Sequence, residues 1–179
     1  MKQRFKKLLP IIVGLGLLVD SHLQVLAQTL EEQTVLAALA LNIVRFTTWP
    51  SEDAAKSTID FCVVGDNVVQ QSFTSVDHKA VGNKTLAIVY LTRMRNFEQC
   101  QVLYVSELKQ SVLQQVFVEI KSRPLLTIGE GYGFVELGGM VGLENTDGKM
   151  TIHVNLPIVR ESKLNISARL LKLAKIIGN

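Results

Sequence analysis

Residues 133–156, GFVELGGMVGLENTDGKMTIHVNL, read as a β-hairpin. Val141 and Leu143 alternate with Gly142 and Glu144, and beyond the turn Met150, Ile152, Val154 and Leu156 alternate with Thr151, His153 and Asn155. A period of two sets one apolar row of each strand against a core. The other row, His153 included, is expected to face solvent. Asn145-Thr146-Asp147-Gly148 supplies the turn, because Asp tolerates it and Gly takes a positive φ at no steric cost. Gly138-Gly139, just upstream, marks a sharp bend or a close approach.

Working back from the hairpin, helical and strand patterns alternate. Leu36, Leu39, Ala40, Ile43 and Phe46 recur every three or four residues, behind a capping box at Thr29 and Glu32. This amphipathic helix is expected to end near Trp49-Pro50, since the residue before a proline is pushed out of the α region. Ser51 to Lys56 reads as a polar loop. Strands are expected at Thr58–Gly65, Leu86–Leu91, Gln101–Ser106 and Leu125–Ile128, with helices at Asn67–Phe73 and Lys109–Lys121. The pattern argues for a single-domain α/β fold: a mixed, mainly parallel sheet with helices on both faces and the hairpin added antiparallel at its C-terminal end. Ile166, Leu170, Leu173 and Ile177, with Ala174, predict a terminal helix packed on the domain.

The chain has 179 residues, 47% hydrophobic and 20% charged, with a formal net charge of +3. Its first 27 residues form an export signal: basic Lys2, Arg4, Lys6 and Lys7, an apolar run from Leu8 to Val19, and Val25-Leu26-Ala27 before the cut. The run is shorter than the roughly 20 residues a spanning helix needs. Residues 28–179 then form the exported domain, with no membrane insertion after cleavage. Four basic residues and Asp20 account for the whole excess charge, so the mature chain is neutral and lacks the basic footprint of a nucleic-acid binder.

Export makes the two cysteines informative. Cys62 and Cys100 in an oxidising compartment read as a disulfide, worth roughly 3.5 to 4 kcal/mol in the chain-entropy account. Two unlinked buried thiols remain the alternative.

Other chemistry is sparse. Gly129-Glu130-Gly131-Tyr132-Gly133 lacks the third glycine of a dinucleotide fingerprint and is expected to be a turn followed by more turn and strand, not a helix. His78 has turn-forming neighbours and is expected to be solvated. There is no nucleophile elbow and no poised pair of carboxylates, and two cysteines with isolated histidines make a poor zinc set. No cofactor or metal is expected, and the chain reads as a binding protein, not an enzyme. Phe46, Trp49 and Pro50 form one candidate partner surface, because aromatic residues concentrate in interface centres. His153, Asn155, Arg160 and Glu161 form a second.

Five segments in order carry a family resemblance: Asn42-Ile-Val-Arg-Phe-Thr-Thr-Trp-Pro50; Phe61-Cys-Val-Val-Gly65; Cys100 ahead of Val102-Leu-Tyr-Val105; Gly133-Phe134 through Gly138-Gly139-Met140; and Val154-Asn155-Leu156 leading to Ser167-Ala-Arg-Leu-Leu-Lys-Leu-Ala174. Together they resemble the YfiR family of bacterial periplasmic proteins. The sequence departs from that family at Leu41, Gly142 and His153. The resemblance implies a periplasmic repressor that binds the sensor domain of an inner-membrane diguanylate cyclase, lowers cyclic di-GMP and restrains biofilm formation. It further implies that redox state acts through a disulfide, with Cys62 and Cys100 falling where such a bond is expected. A homodimer is compatible with the apolar strands. The alternative is a periplasmic sensor module for a small apolar or aromatic ligand, seated where the glycine-rich turn meets the sheet.

Overall fold

The computed structural model describes residues 29–50 and 56–178. The expected signal, residues 1–27, and most of the polar loop after Pro50 lie outside the described residues. Helix α1 covers 29–45. Strand β1 (Thr47–Thr48) follows, then β2 (Thr58–Val64), α2 (Asn67–Phe73), β3 (Ala80–Val81), β4 (Lys84–Tyr90) and β5 (Val102–Val105). Next come α3 (Gln110–Glu119), β6 (Leu126–Glu130), α4 (Tyr132–Glu136), β7 (Val141–Thr146) and β8 (Lys149–Asn155). The chain closes with α5 (Leu156–Glu161), β9 (Asn165–Ile166), α6 (Ala168–Leu171) and β10 (Lys175–Ile177).

Eight strands form one sheet in the order β10-β8-β7-β6-β5-β2-β4-β3. The five from β7 to β4 run parallel, while β3 is antiparallel to β4, β8 is antiparallel to β7, and β10 is parallel to β8. β1 and β9 make a separate antiparallel pair. The helices divide between two apolar layers. Leu36, Ile43, Phe61, Phe73, Tyr104 and Ile128 belong to the layer under α1 and α2, and Cys62, Leu103, Leu113, Val116, Phe134 and Val135 to the layer under α3 and α4. Consecutive residues of β2 therefore serve opposite layers, as strand pleating requires. With both faces covered, the central strands are continuously apolar, which is what a parallel sheet demands.

The hairpin forms in the expected register, Val141 opposite Val154 and Leu143 opposite Ile152. Asp147 and Gly148 both have positive φ, 52° and 78°, the signature of the two-residue turn that matches strand twist. Gly138 has φ 114°, and a Cβ at Gly139 would enter the Phe134 ring, so the glycine pair serves both the bend and the close approach.

Four expectations are corrected. α1 ends four residues before Trp49, because Thr47 and Thr48 leave the helix to pair with Ile166 and Asn165. The glycine-rich stretch is a strand end, Glu130, then Gly131 at φ 78°, then helix α4. The second row of the hairpin is not a solvent face: α4 packs against it, His153 is only 4% exposed, and Glu144 and Thr151 are half-buried. The terminal helix shrinks to one turn, α6, capped by the Ser167 hydroxyl, and the chain continues into β10 alongside β8.

Candidate functional site

The first candidate surface is assembled by β1, β3–β4 and the residue ahead of β5. Trp49 and Pro50 line a cleft of about 300 Å³ with Ile59, Val81 and Thr48, at the amino ends of β2 and β4. Most of its lining is apolar, and Arg45 stands at its edge. That guanidinium donates to Ala80 O at 3.2 and 3.1 Å and to Asn42 Oδ1 at 3.3 Å, and it pairs with no carboxylate among the described residues. The guanidinium is therefore oriented by neutral acceptors. Phe46 is half-buried and packs on the core beneath this region.

Trp49 is fixed by Gln101. Its indole Nε1 donates to Gln101 O at 3.2 Å. Gln101 is itself anchored three further ways: its Oε1 accepts Asp60 N at 2.7 Å, its N–H donates to Asp60 O at 2.9 Å, and its carbonyl also accepts Leu126 N at 2.9 Å. The residue before it, Cys100, is bonded to Cys62 with a Cα–Cα distance of 5.7 Å. The disulfide thus ties β2 to the start of β5 one residue from the group that holds Trp49.

The second candidate surface is not brought together. His153 is buried, its Nε2 2.8 Å from Glu144 Oε2 and its ring edge-on to Tyr132 at 5.1 Å. Asn155 is occupied structurally, with Nδ2 donating to Val135 O and Oδ1 capping α5 at Ile158 N. Arg160 and Glu161 are exposed on α5, where Glu161 accepts from Ser122 at 3.1 Å and lies 3.8 Å from Lys121 Nζ. His78 is exposed, as expected.

A polar group that spacing did not flag lies at the carboxyl end of β6. The fully buried Tyr104 donates its hydroxyl to Glu130 Oε1 at 3.0 Å, and Gln33 Nε2 donates to the same oxygen at 3.4 Å. Burial first, then the Glu130 carboxylate, push the Tyr104 phenol far above its ordinary value. The signal that could have found it is positional, since a lone carboxylate at the carboxyl end of a parallel strand occupies the edge where α/β sheets hold ligands. Glu130, Glu32 and Glu144 line a hollow of about 220 Å³ beside Gly131. Among the described residues, no group of three or more His, Cys, Asp or Glu could hold a metal ion, and no helix is long and apolar enough to cross a membrane.

The YfiR/HmsC-like family profile matches residues 33–175. The chain belongs to this family. Proteins of the YfiR/HmsC-like family are periplasmic regulators associated with diguanylate cyclase systems, not catalysts. The disulfide of this YfiR/HmsC-like chain suits an oxidising compartment. A crystal structure of a conserved domain protein from Vibrio cholerae is also similar, with 12% identity and a TM-score of 0.46. That match covers 69% of this chain and 55% of the other, so the YfiR/HmsC-like chain spans just over half of that protein's length.

Proposed function

We propose that this YfiR/HmsC-like protein binds the periplasmic sensor domain of an inner-membrane diguanylate cyclase through the Trp49 cleft, represses it, and does so in response to envelope redox state. The observation that carries the reading is the cleft itself, a largely apolar hollow with a tryptophan, a proline and an arginine that pairs with no carboxylate among the described residues, in a member of a family of cyclase-system regulators. Buried aromatic anchors with a flanking charge are the usual energetic centre of a protein interface. The chemistry favours an apolar segment carrying an acidic residue as the part of the cyclase that enters. The redox element is supported by the short path from the Cys62–Cys100 bond through Gln101 to Trp49. If the oxidised fold binds the inactive cyclase better, reduction shifts the cyclase toward activity by the difference in affinity.

The test compares intracellular cyclic di-GMP in a strain lacking the gene and in strains restored with wild type or Thr48→Glu. Thr48 is exposed and lines the cleft, so a carboxylate there blocks an acidic segment and leaves the core alone. Deletion raises cyclic di-GMP, wild type reverses the rise, and Thr48→Glu at equal abundance and melting temperature does not. No rise on deletion removes the repressor reading; full rescue by Thr48→Glu removes the cleft from it.

A second reading, a small-ligand sensor module, is favoured by the hollow beside Gly131. Its three carboxylates suit a cation better than the apolar or aromatic ligand expected from sequence. A thermal shift with a small polyamine supports that reading, and no shift removes it.

A further inference from the structure

The two sulfurs of the disulfide stand in different surroundings. Cys62 is 0% exposed, in the middle of β2 with β4 and β5 paired on either side. Cys100 is 6% exposed, follows the 3-10 turn Phe97–Gln99, and lines a surface hollow of about 90 Å³. Two cations, Lys56 and Arg123, line the same hollow, against one carboxylate, Glu98. Lys56 reaches Asp60 only at 3.8 Å. Arg123 donates to Phe97 O at 3.0 Å and so braces the turn that presents Cys100, whose own N–H donates to the same carbonyl at 3.0 Å.

From this asymmetry we infer that Cys100 Sγ is the site of thiol–disulfide exchange, entered through the Lys56–Arg123 hollow, and that Cys62 is never attacked directly. Exchange requires a thiolate to reach one sulfur in line with the bond it breaks, and the anion is drawn by positive surroundings. The reductant is a dithiol. Its first thiolate bonds to Cys100 Sγ, the Cys62–Cys100 bond breaks, and Cys62 leaves with the electron pair and takes a proton from water. The second thiolate of the dithiol then attacks its own sulfur in the mixed disulfide and releases Cys100 as thiolate. Two electrons pass to the protein and the dithiol becomes a disulfide. Cys62 is a poor leaving group, because an apolar surround raises the pKa of a thiol. Access overrides that handicap, so exchange is slow and confined to one sulfur. The reverse reaction follows the same route: a disulfide oxidant is captured by Cys100, and Cys62 resolves the mixed disulfide. This assignment deepens the redox part of the proposed function, but concerns the sulfur chemistry of the isolated chain, so its outcome is independent of whether a cyclase is bound.

The experiment treats the oxidised protein under native conditions with glutathione, then unfolds it in denaturant containing N-ethylmaleimide so that every free thiol is reachable, and maps both labels by peptide mass spectrometry. Glutathione is expected on Cys100 and maleimide on Cys62. Glutathione on Cys62 in comparable or greater yield overturns the assignment, as does a complete absence of adduct short of unfolding. A second measurement uses single variants kept folded by circular dichroism. Maleimide labels Cys100 in Cys62→Ser at least about tenfold faster than Cys62 in Cys100→Ser, because the uncharged reagent reads only how far each thiol is exposed and ionised, and one unit of thiol pKa alone is about tenfold in thiolate. Equal rates overturn the inference.

Discussion

The indole of Trp49 is held by the carbonyl of Gln101, the residue that follows the disulfide cysteine Cys100. A covalent cross-link and a candidate binding surface therefore meet within two residues of backbone. Trp49 is the only tryptophan of the chain, so its fluorescence reports on this junction alone. Reducing the bond loosens the start of β5, and Trp49 is expected to move toward water with a red-shifted emission maximum, while far-ultraviolet circular dichroism stays native. Superimposable spectra before and after reduction, with free thiols titrated, would falsify the coupling. The double substitution Cys62→Ser with Cys100→Ser should give the same red-shifted spectrum and cost about 2 to 5 kcal/mol of stability, measured by urea unfolding.

Gly142 stands opposite His153 in the hairpin, and its bare Cα lets the Gly131 carbonyl lie over β7. A Cβ there would sit 2.5 Å from that oxygen, a backbone atom that cannot swing aside. Gly142→Ala is thus expected to push α4 off the sheet at a cost of about 1 to 3 kcal/mol, the usual penalty for overpacking. Unchanged urea unfolding would mean that α4 yields freely.

His153 and Glu144 share a contact of 2.8 Å but not an environment. The histidine side chain is 5% exposed and the carboxylate 36%. Removing the exposed member costs little, since water replaces it. Removing the buried member opens a cavity under Tyr132 and strips the carboxylate of its partner. Glu144→Gln should therefore lose less than about 1 kcal/mol, and His153→Ala roughly 2 kcal/mol or more. Equal losses in paired unfolding curves would contradict this division.

The hairpin, the central strands and α2 were legible because their spacing and their burial agree: each strand's apolar period is the one its two layers require. Where sequence reading failed, spacing alone was ambiguous. Ile166, Leu170, Leu173 and Ile177 fit a helical stripe, yet Ile166 and Leu170 are buried in separate short elements, Leu173 is 76% exposed, and the consecutive pair Ile176 and Ile177 packs on opposite layers, as only a strand allows. His153 looked solvent-facing because the hairpin alternates, but alternation cannot reveal that a five-residue helix begun at Tyr132 folds over the polar row. At the candidate site, Trp49 and Pro50 were identifiable as residue types, whereas Arg45, Val81 and Gln101 reach the cleft from other elements and only topology joins them. Asn155 and Arg160 looked like neighbours in sequence but serve a helix cap and an exposed face.

Tyr104 and Glu130 give a pH dependence with a definite sign. The folded chain holds the phenol protonated, because burial and the adjacent carboxylate both oppose the phenolate. An unfolded tyrosine ionises near pH 10. The folded value is raised, so the contribution to stability is fully present below about pH 10 and is lost as the pH rises beyond it, at about 1.4 kcal/mol per pH unit for one proton. Tyr104→Phe removes this proton from the linkage. At neutral pH the variant is less stable by about 1.5 to 3 kcal/mol, the value of a hydrogen bond to a charged acceptor. Above pH 10 the wild type declines more steeply, and the gap between the two narrows. Urea unfolding of both proteins at neutral pH and at two values above pH 10 checks this, and parallel stability curves would place the alkaline sensitivity elsewhere.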